Sequence, residues 1–491
     1  MTHVDAPGRR VDLDAAASAA LSTLAGGPPP KSAVPALTRL VGDLRRAGRL
    51  EHGRALADAL VAVVPDEPAA WLARSEVAHR QGDLGLAVAD TRAAMARARN
   101  GGAGAPRLVQ LLYEAGDLDA AMEEAEAALA ADAGNLDMLA LLADVQDAAG
   151  RTEAAAATVA RALIAREARG FGSAQLLMAC FRAGRLDAAA RDLHLRWALS
   201  GAPPRPFPQP AWDGTPRPGE RLLVWGEQGL GEEIWSTAML AEAAARVGGI
   251  VLECSPRLVA LFARSFPGAT VVARGDPPAA ACAAASVQAA AVGLLAALPA
   301  SPTTHTPHVV ADPAVSAGLR ARYRALGDGP IVGVSWRSAN RRVPRAKTLE
   351  LTDWRPILDR WAVFVDLQYG DTEEDRRAAA AALGITIHRD PAVDPLGDLD
   401  LPAAQVAAMD AVVSVSNTAA HLAGGLGVPS IVLLPRGRGQ VWAWLDGVRP
   451  WYSAMRLCRQ PRAGEWAPAV AEAAAALDRL LAGGQPIAPT R

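Results

Sequence analysis

Five glycines, Gly48, Gly82, Gly116, Gly150 and Gly184, follow one another at intervals of 34 residues, and a register held that strictly restricts the first half of the chain to a stack of equal units. The flanks repeat with them. Ala47, Gln81, Ala115, Ala149 and Ala183 precede the glycines, Arg49, Asp83, Asp117, Arg151 and Arg185 follow, and a small residue (Gly53, Ala87, Ala121, Ala155, Ala189) stands five positions further on. Glycine ends a helix where the backbone must turn left-handed, and a small side chain lets a second helix come close, so each unit is expected to be a helical hairpin. Alanine supplies most of the 51% hydrophobic content while aromatics are only 4%, a balance that favours helix.

The period and its pattern resemble the tetratricopeptide repeat (TPR), and Pro65 stands where that motif often closes a unit. The resemblance covers about residues 35–200 and implies an all-α solenoid of about five repeats behind a flexible segment, 1–34. Units that bury their core only against neighbours leave a concave groove suited to a peptide or protein. Counting back by three, six and ten from the glycines gives the helix face expected to line it: Glu76 and His79, Gln110 and Tyr113, Asp144 and Asp147, Met178 and Phe181. Arg45 is the only permanent cation three or six positions back, too few to clamp a carboxylate, so a mixed polar and apolar protein segment is the expected occupant.

Residues 201–220 carry Pro203, Pro204, Pro206, Pro208, Pro210, Pro216 and Pro218, which excludes helix and marks a semi-rigid connector. Beyond it the pattern changes. Short β-rich runs, Leu222 to Trp225, Ile250 to Glu253 and Thr270 to Val272, alternate with Ala-rich helical stretches, and a second series follows at Ile331 to Trp336, Val363 to Leu367, Ile385 to His388, Ala411 to Val415 and Ile431 to Leu434. Such alternation implies two parallel α/β halves, 221–327 and 328–491, with ligands at the carboxyl ends of their strands.

After the first strand comes Gly226-Glu-Gln-Gly-Leu-Gly231-Glu232-Glu233, which has the glycine spacing of a phosphate loop without its Lys and Ser or Thr. Two glutamates repel phosphate there, so an NTPase is excluded and what remains is a glycine turn presenting a carboxylate fit for general-base work. "LLVWGEQGLGEEI" resembles the opening of bacterial TPR-linked glycosyltransferases related to the lipopolysaccharide heptosyltransferases. In that family an Asp after the last glycine is the base that deprotonates the acceptor hydroxyl; here Glu232 stands in its place, one methylene longer.

In the second half Arg337, Arg341, Arg342, Arg345 and Lys347 fall within eleven positions after a strand, an anion site in a near-neutral chain. Lys347 is one of only two lysines against 48 arginines, and a compact ammonium suits one phosphate oxygen. Further on, Asn417 is a good N-cap, and the N–H groups of Thr418, Ala419 and Ala420 are expected to face a diphosphate, with the Thr418 hydroxyl and His421 beside them. The stretch resembles the family's D-T-x-x-H-L-A-G-x-L-G signature, with Asn417 replacing the aspartate. The resemblance implies a metal-independent GT-B fold of two Rossmann-like domains, donor contacts from Lys347, Thr418 and His421, and Gln368 near the nucleotide. Arg337, Asn417 and Ala419 complete the expected donor site.

The net charge of −2 supplies no basic field for nucleic acid. Cys180, Cys254, Cys282 and Cys458 form no CxxC pair, which argues against structural zinc and disulfides, and the N-terminus shows no export signal, so a cytoplasmic location is expected. Residues 277–311 lack charge but are too weakly apolar to insert in a membrane. Asp398-x-Asp400 matches a metal-binding DxD no better than Asp12-x-Asp14 does. No metal or cofactor is expected beyond a nucleotide-sugar co-substrate. The reading is transfer of a sugar to Ser or Thr hydroxyls of a protein held by the solenoid. Layout resembles O-GlcNAc transferase and flagellin-modifying TPR transferases, which makes flagellin the leading acceptor. A non-catalytic TPR scaffold with a degenerate transferase domain, and a heptosyltransferase-like enzyme acting on lipopolysaccharide, are the alternatives.

Overall fold

The computed structural model describes residues 4–5, 9–10, 12–98, 104–197, 204–227, 229–298, 307–338, 349–437 and 452–483. The chain divides into two compact units, residues 1–146 with 152–170, and residues 147–151 with 171–491.

In the first unit helices α2 (Val34–Arg46) to α9 (Thr152–Arg169) form hairpins. Their turn glycines are left-handed, with φ of 75° at Gly48, 85° at Gly82 and 83° at Gly116, a conformation that costs a side-chain-bearing residue roughly 1–2 kcal/mol. Five positions on, Ala87 and Ala121 are fully buried where the paired helices meet. The segment expected to be flexible, 1–34, contains a further helix, α1 (Leu13–Ala25), capped by the Asp12 carboxylate at the amides of Asp14 and Ala15. It is held because Ala17, Ala20 and Leu24 close a core with Val41, Leu44 and Leu56. A solenoid's first hairpin needs such a cover over its open side.

The fifth hairpin, α10 (Ala174–Arg182) and α11 (Leu186–Arg191), belongs to the second unit. The division therefore falls at Gly170, before the proline-rich connector expected to carry it. Beyond α11, Arg196 donates twice to the buried Glu227 carboxylate, at 2.9 and 2.8 Å. Trp197 stacks on Trp225 with centroids 5.6 Å apart, and Phe207 leans on the same ring. The connector itself joins the sheet: Gln288 N–H donates to the Pro210 carbonyl at 3.0 Å and Trp212 N–H to the Gln288 carbonyl at 2.8 Å.

Two parallel sheets follow. The first runs Ala269–Ala273, Val247–Cys254, Arg217–Trp225, Val287–Ala290, and the second Ile387–His388, Val363–Asp366, Ile331–Ser335, Ala411–Val415, Ser430–Leu434, Met455–Arg459. By order of appearance these read 3-2-1-4 and 3-2-1-4-5-6, the doubly wound pattern, whose crevice opens beside strand 1 where the chain changes direction. Helix Pro313–Arg324 packs on helix Asp400–Ala407, with Tyr323 accepting from Gln405 at 3.0 Å, so it belongs with the second sheet although it precedes the expected boundary at 328. Among the described residues no helix is long and apolar enough to cross a membrane.

Candidate functional site

Each glycine of the Gly226–Gly231 turn makes room for a particular side chain. A Cβ on Gly226 would lie 2.6 Å from the Glu233 carboxyl carbon, and one on Gly231 would lie 2.5 Å from His421 Cδ2. Glu233 is buried, accepts from Ser255 N–H and Arg274 at 2.7 Å each, and clamps the turn to the next strand. Burial pushes its carboxyl above the usual range even against Ser255 N–H and Arg274. That assignment leaves Glu232, half-buried in the first turn of helix Leu230–Ser236, as the carboxylate on the cleft.

The cleft, about 380 Å³, collects loops from the carboxyl ends of both sheets. From the first half come Gly229, Gly231, Glu232 and Arg257; from the second come Ser338, Tyr369, Gln405, Asn417, Thr418 and His421, with Leu396, Leu399 and Pro402 as an apolar wall. A pocket placed where both sheets end, with few convergent polar groups, is the usual form of a small-molecule site.

At the switch point Asn417 acts as a knot. Its Nδ2 donates to Ser335 Oγ at 2.7 Å and the Arg337 carbonyl at 3.2 Å, tying strands Ile331–Ser335 and Ala411–Val415 together. Its Oδ1 accepts from Ala419 N–H at 3.0 Å and Ala420 N–H at 3.4 Å, capping helix Thr418–Leu426. Two amides expected to face a ligand are thus satisfied within the protein, because a capping side chain and an anion compete for the same donors. What this half leaves open to the cleft beside Asn417 is the Thr418 turn, His421 and Ser338.

Two other expected donor residues lie elsewhere. Gln368 is fully buried, and its Oε1 accepts from Ser335 Oγ, Trp336 N–H and Arg337 N–H at 2.9–3.0 Å; it shapes the loop beneath the cleft. Arg337 pairs with Asp375 at 2.6 Å, on helix Glu373–Leu383, and also donates to the Asp371 carbonyl, so its guanidinium is held by that helix and the loop before it. Lys347, with Arg341, Arg342 and Arg345, lies outside the described residues.

Arg257 and Tyr452 are the residues that sequence reasoning missed. Arg257 reaches across the cleft to donate to the carbonyls of Gly397 at 2.6 Å and Pro395 at 2.8 Å, and among the described residues no carboxylate pairs with it. It follows the strand Val247–Cys254, so the rule that ligands sit at carboxyl ends of strands pointed to it. Tyr452 hydrogen-bonds His421 Nδ1 at 3.0 Å. It is far from His421 in sequence and nothing in its surroundings announces that contact.

In the first unit the expected groove residues divide. Glu76 pairs with Arg45 at 3.2 Å, while His79 and Gln110 both meet Glu114, at 2.5 and 2.8 Å, so these side chains share one face; Tyr113 is half-buried. The later repeats depart from that pattern. Asp144 is buried because nearly every side of α8 (Leu136–Ala148) is covered. Asp147, in the second unit, accepts from Arg436 at 3.0 Å and Gly437 N–H at 2.8 Å. Phe181 is 1% exposed in the short α10, a core residue instead of a groove residue, and Met178 is half-buried.

No protein-family model matches the chain. A curated relative, Protein FlbA of Caulobacter vibrioides, is 33% identical over 329 residues, 62% of this chain and 54% of that protein, so the chain spans about half the length of that relative. Similar solved structures include a family 9 glycosyl transferase of Veillonella parvula, 10% identical with TM-score 0.39, covering 54% of this chain and 98% of that one. The ADP-heptose lipopolysaccharide heptosyltransferase II of E. coli is 13% identical with TM-score 0.40, covering 54% and 99%. An O-GlcNAc transferase mutant of Thermobaculum terrenum is 15% identical with TM-score 0.32, covering 92% and 93%. By its own topology the chain consists of TPR-type helical hairpins followed in sequence by the two Rossmann-like halves of a GT-B architecture.

Proposed function

We propose that this protein is a glycosyltransferase that moves a sugar from a nucleotide-sugar donor to a Ser or Thr hydroxyl of a protein recruited by its helical repeats. The observation that carries the reading is the cleft in which Glu232 from one half and Thr418 and His421 from the other line a single space. Glu232 takes the acceptor proton as the hydroxyl oxygen attacks the anomeric carbon, and the nucleotide leaves with the bonding electrons of the glycosidic C–O bond. Thr418, His421 and Arg257 stabilise the charge that develops on the leaving phosphate. The polar face of Glu76, His79, Gln110 and Glu114 suits an extended acceptor segment. Flagellin is the first acceptor to test, on the resemblance in sequence layout to flagellin-modifying TPR transferases.

The capped amides of Ala419 and Ala420 favour a second reading, a scaffold whose transferase half no longer turns over. Thermal-shift screening of the full chain against UDP-, GDP-, ADP- and CMP-sugars separates the two, because a ligand that binds only the folded state raises the melting temperature. The transferase reading expects stabilisation by one class and a mass increase of one sugar on flagellin co-expressed with the chain. Glu232→Gln should keep the thermal shift and lower transfer about 10²- to 10⁴-fold. A chain that no sugar nucleotide stabilises is a scaffold.

A further inference from the structure

Helix Asp400–Ala407 turns one face to the cleft, since Pro402, Gln405 and Val406, spaced as neighbours on one side of a helix, all line it. Pro402 and Val406 continue the apolar wall of Leu396 and Leu399. Gln405 is the exception. It is an amide only 4% exposed, between aliphatic neighbours on its own helix, where a polar group without a partner costs about 1–3 kcal/mol.

One branch of that amide has its partner. Nε2 donates to Tyr323 Oη at 3.0 Å, and Tyr323 Oη lies 3.0 Å from Asp390 Oδ2. Asp390 is itself secured, by Arg322 at 2.8 Å on the same oxygen and by Ala392 N–H at 3.0 Å on the other. The direction of the chain follows from its charged end. Burial raises the Tyr323 phenol above the ordinary tyrosine range, so its single proton stays on, and a carboxylate attracts that proton more strongly than an amide oxygen does. The phenol therefore donates to Asp390 and accepts from Gln405, which places the NH2 branch of the amide at Tyr323 and Oε1 on the opposite branch. Among the described residues no group donates to Oε1. The atom is nevertheless not sealed from solvent, and the space that Gln405 borders is the cleft.

We propose that Gln405, held by Tyr323 and Asp390, is a specificity residue that offers the cleft a fixed hydrogen-bond acceptor for an N–H on the base of the bound nucleotide. The inference rests on the nucleotide-sugar reading above and adds which part of that co-substrate lies along helix Asp400–Ala407. A flat heteroaromatic ring lies favourably against Leu396, Leu399, Pro402 and Val406, whereas sugar hydroxyls would face aliphatic carbon without partners. A base that turned a carbonyl or a ring-nitrogen lone pair toward Oε1 would meet a like lone pair, so the acceptor also sets which edge of the ring faces the helix.

Calorimetric titration of the full chain tests this. The probes are whichever of UDP, GDP, ADP or CMP binds the wild type, and the same nucleotide with the N–H groups of its base methylated. The wild type should bind the methylated probe about 3- to 10-fold more weakly, the worth of one hydrogen bond. Gln405→Met keeps the length of the side chain and removes the acceptor, so the variant should lose the distinction between the probes. A ratio taken within one variant is untouched by a general loss of affinity, which is the logic of a double-mutant cycle. Tyr323→Phe frees the amide to turn and should lower the ratio part of the way; it decides should Gln405→Met not fold. Equal binding of the two probes by the wild type, or an unchanged ratio in either variant, overturns the proposal and leaves the nucleotide-sugar reading intact. A wild type that binds no nucleotide overturns both.

Discussion

At the scale of the residue, the cleft depends on where side chains are denied as much as on where they are supplied. Gly231 is the sharpest case. A methyl group there would lie 2.5 Å from His421 Cδ2, and the imidazole has little room to retreat because Tyr452 is bonded to its far side. Gly231→Ala is therefore expected to cost roughly 1–3 kcal/mol of stability, the range for forcing a methyl into a filled site, and to abolish the thermal shift given by the sugar nucleotide. Urea denaturation and thermal-shift titration check this, and unchanged values in both would show that the turn is looser than described. Glu232, Thr418 and His421 were legible in the sequence because a glycine turn after one strand and a capped helix after another announce their own geometry. The partners of Arg337 and Gln368 could not be read, for the opposite reason. Their partners, Asp375 and Ser335, lie more than thirty positions away, and nothing local reveals which of several polar groups will claim them.

At the scale of the element, the second sheet is positioned by a carboxylate at its mouth. Asp410, between helix Asp400–Ala407 and strand Ala411–Val415, accepts from Ile331 N–H at 2.8 Å and Arg324 at 2.9 Å, and also from Arg320. Burial alone would raise its carboxyl, but Ile331 N–H and Arg320 outweigh it and the net shift is downward. The sign follows. A depressed carboxyl contributes stability that is present above the unfolded value, about 3.9, and is lost as pH falls through the folded value. Asp410→Asn should destabilise the chain by about 1–3 kcal/mol at neutral pH, the cost of weakening charge-assisted bonds at a mostly covered site, and the deficit should shrink below pH about 4. Denaturant midpoints across pH measure it; a deficit independent of pH would mean that the charge is irrelevant. Most strands could be read from their β-branched runs, yet Val287–Ala290 and Met455–Arg459 could not. The first holds only one β-branched residue and the second holds none and carries Arg456 and Arg459, so each is a strand because a sheet edge recruits it.

At the scale of the whole molecule, the continuous part of the second unit begins at Phe171, thirty residues before the proline-rich connector begins. A chain starting at Phe171 should unfold in one cooperative transition. One starting at Gly201 loses Arg196 and Trp197 and leaves the buried Glu227 without its guanidinium, a change worth roughly 3–5 kcal/mol. Guanidinium-chloride unfolding of the two chains checks this, and equal midpoints would put the boundary back at the connector. The sequence alone determined the helical hairpins, the two doubly wound halves and the loops at which they present polar groups, because 34-residue spacing, β-runs and glycine turns are local in their causes. Tertiary structure decided what those loops hold. Which glutamate reaches the cleft, whether Asn417 leaves its amides to a ligand, and whether Tyr452 stands behind His421 are settled by contacts between segments far apart in the chain, where packing and hydrogen-bond competition choose among partners that local pattern cannot rank.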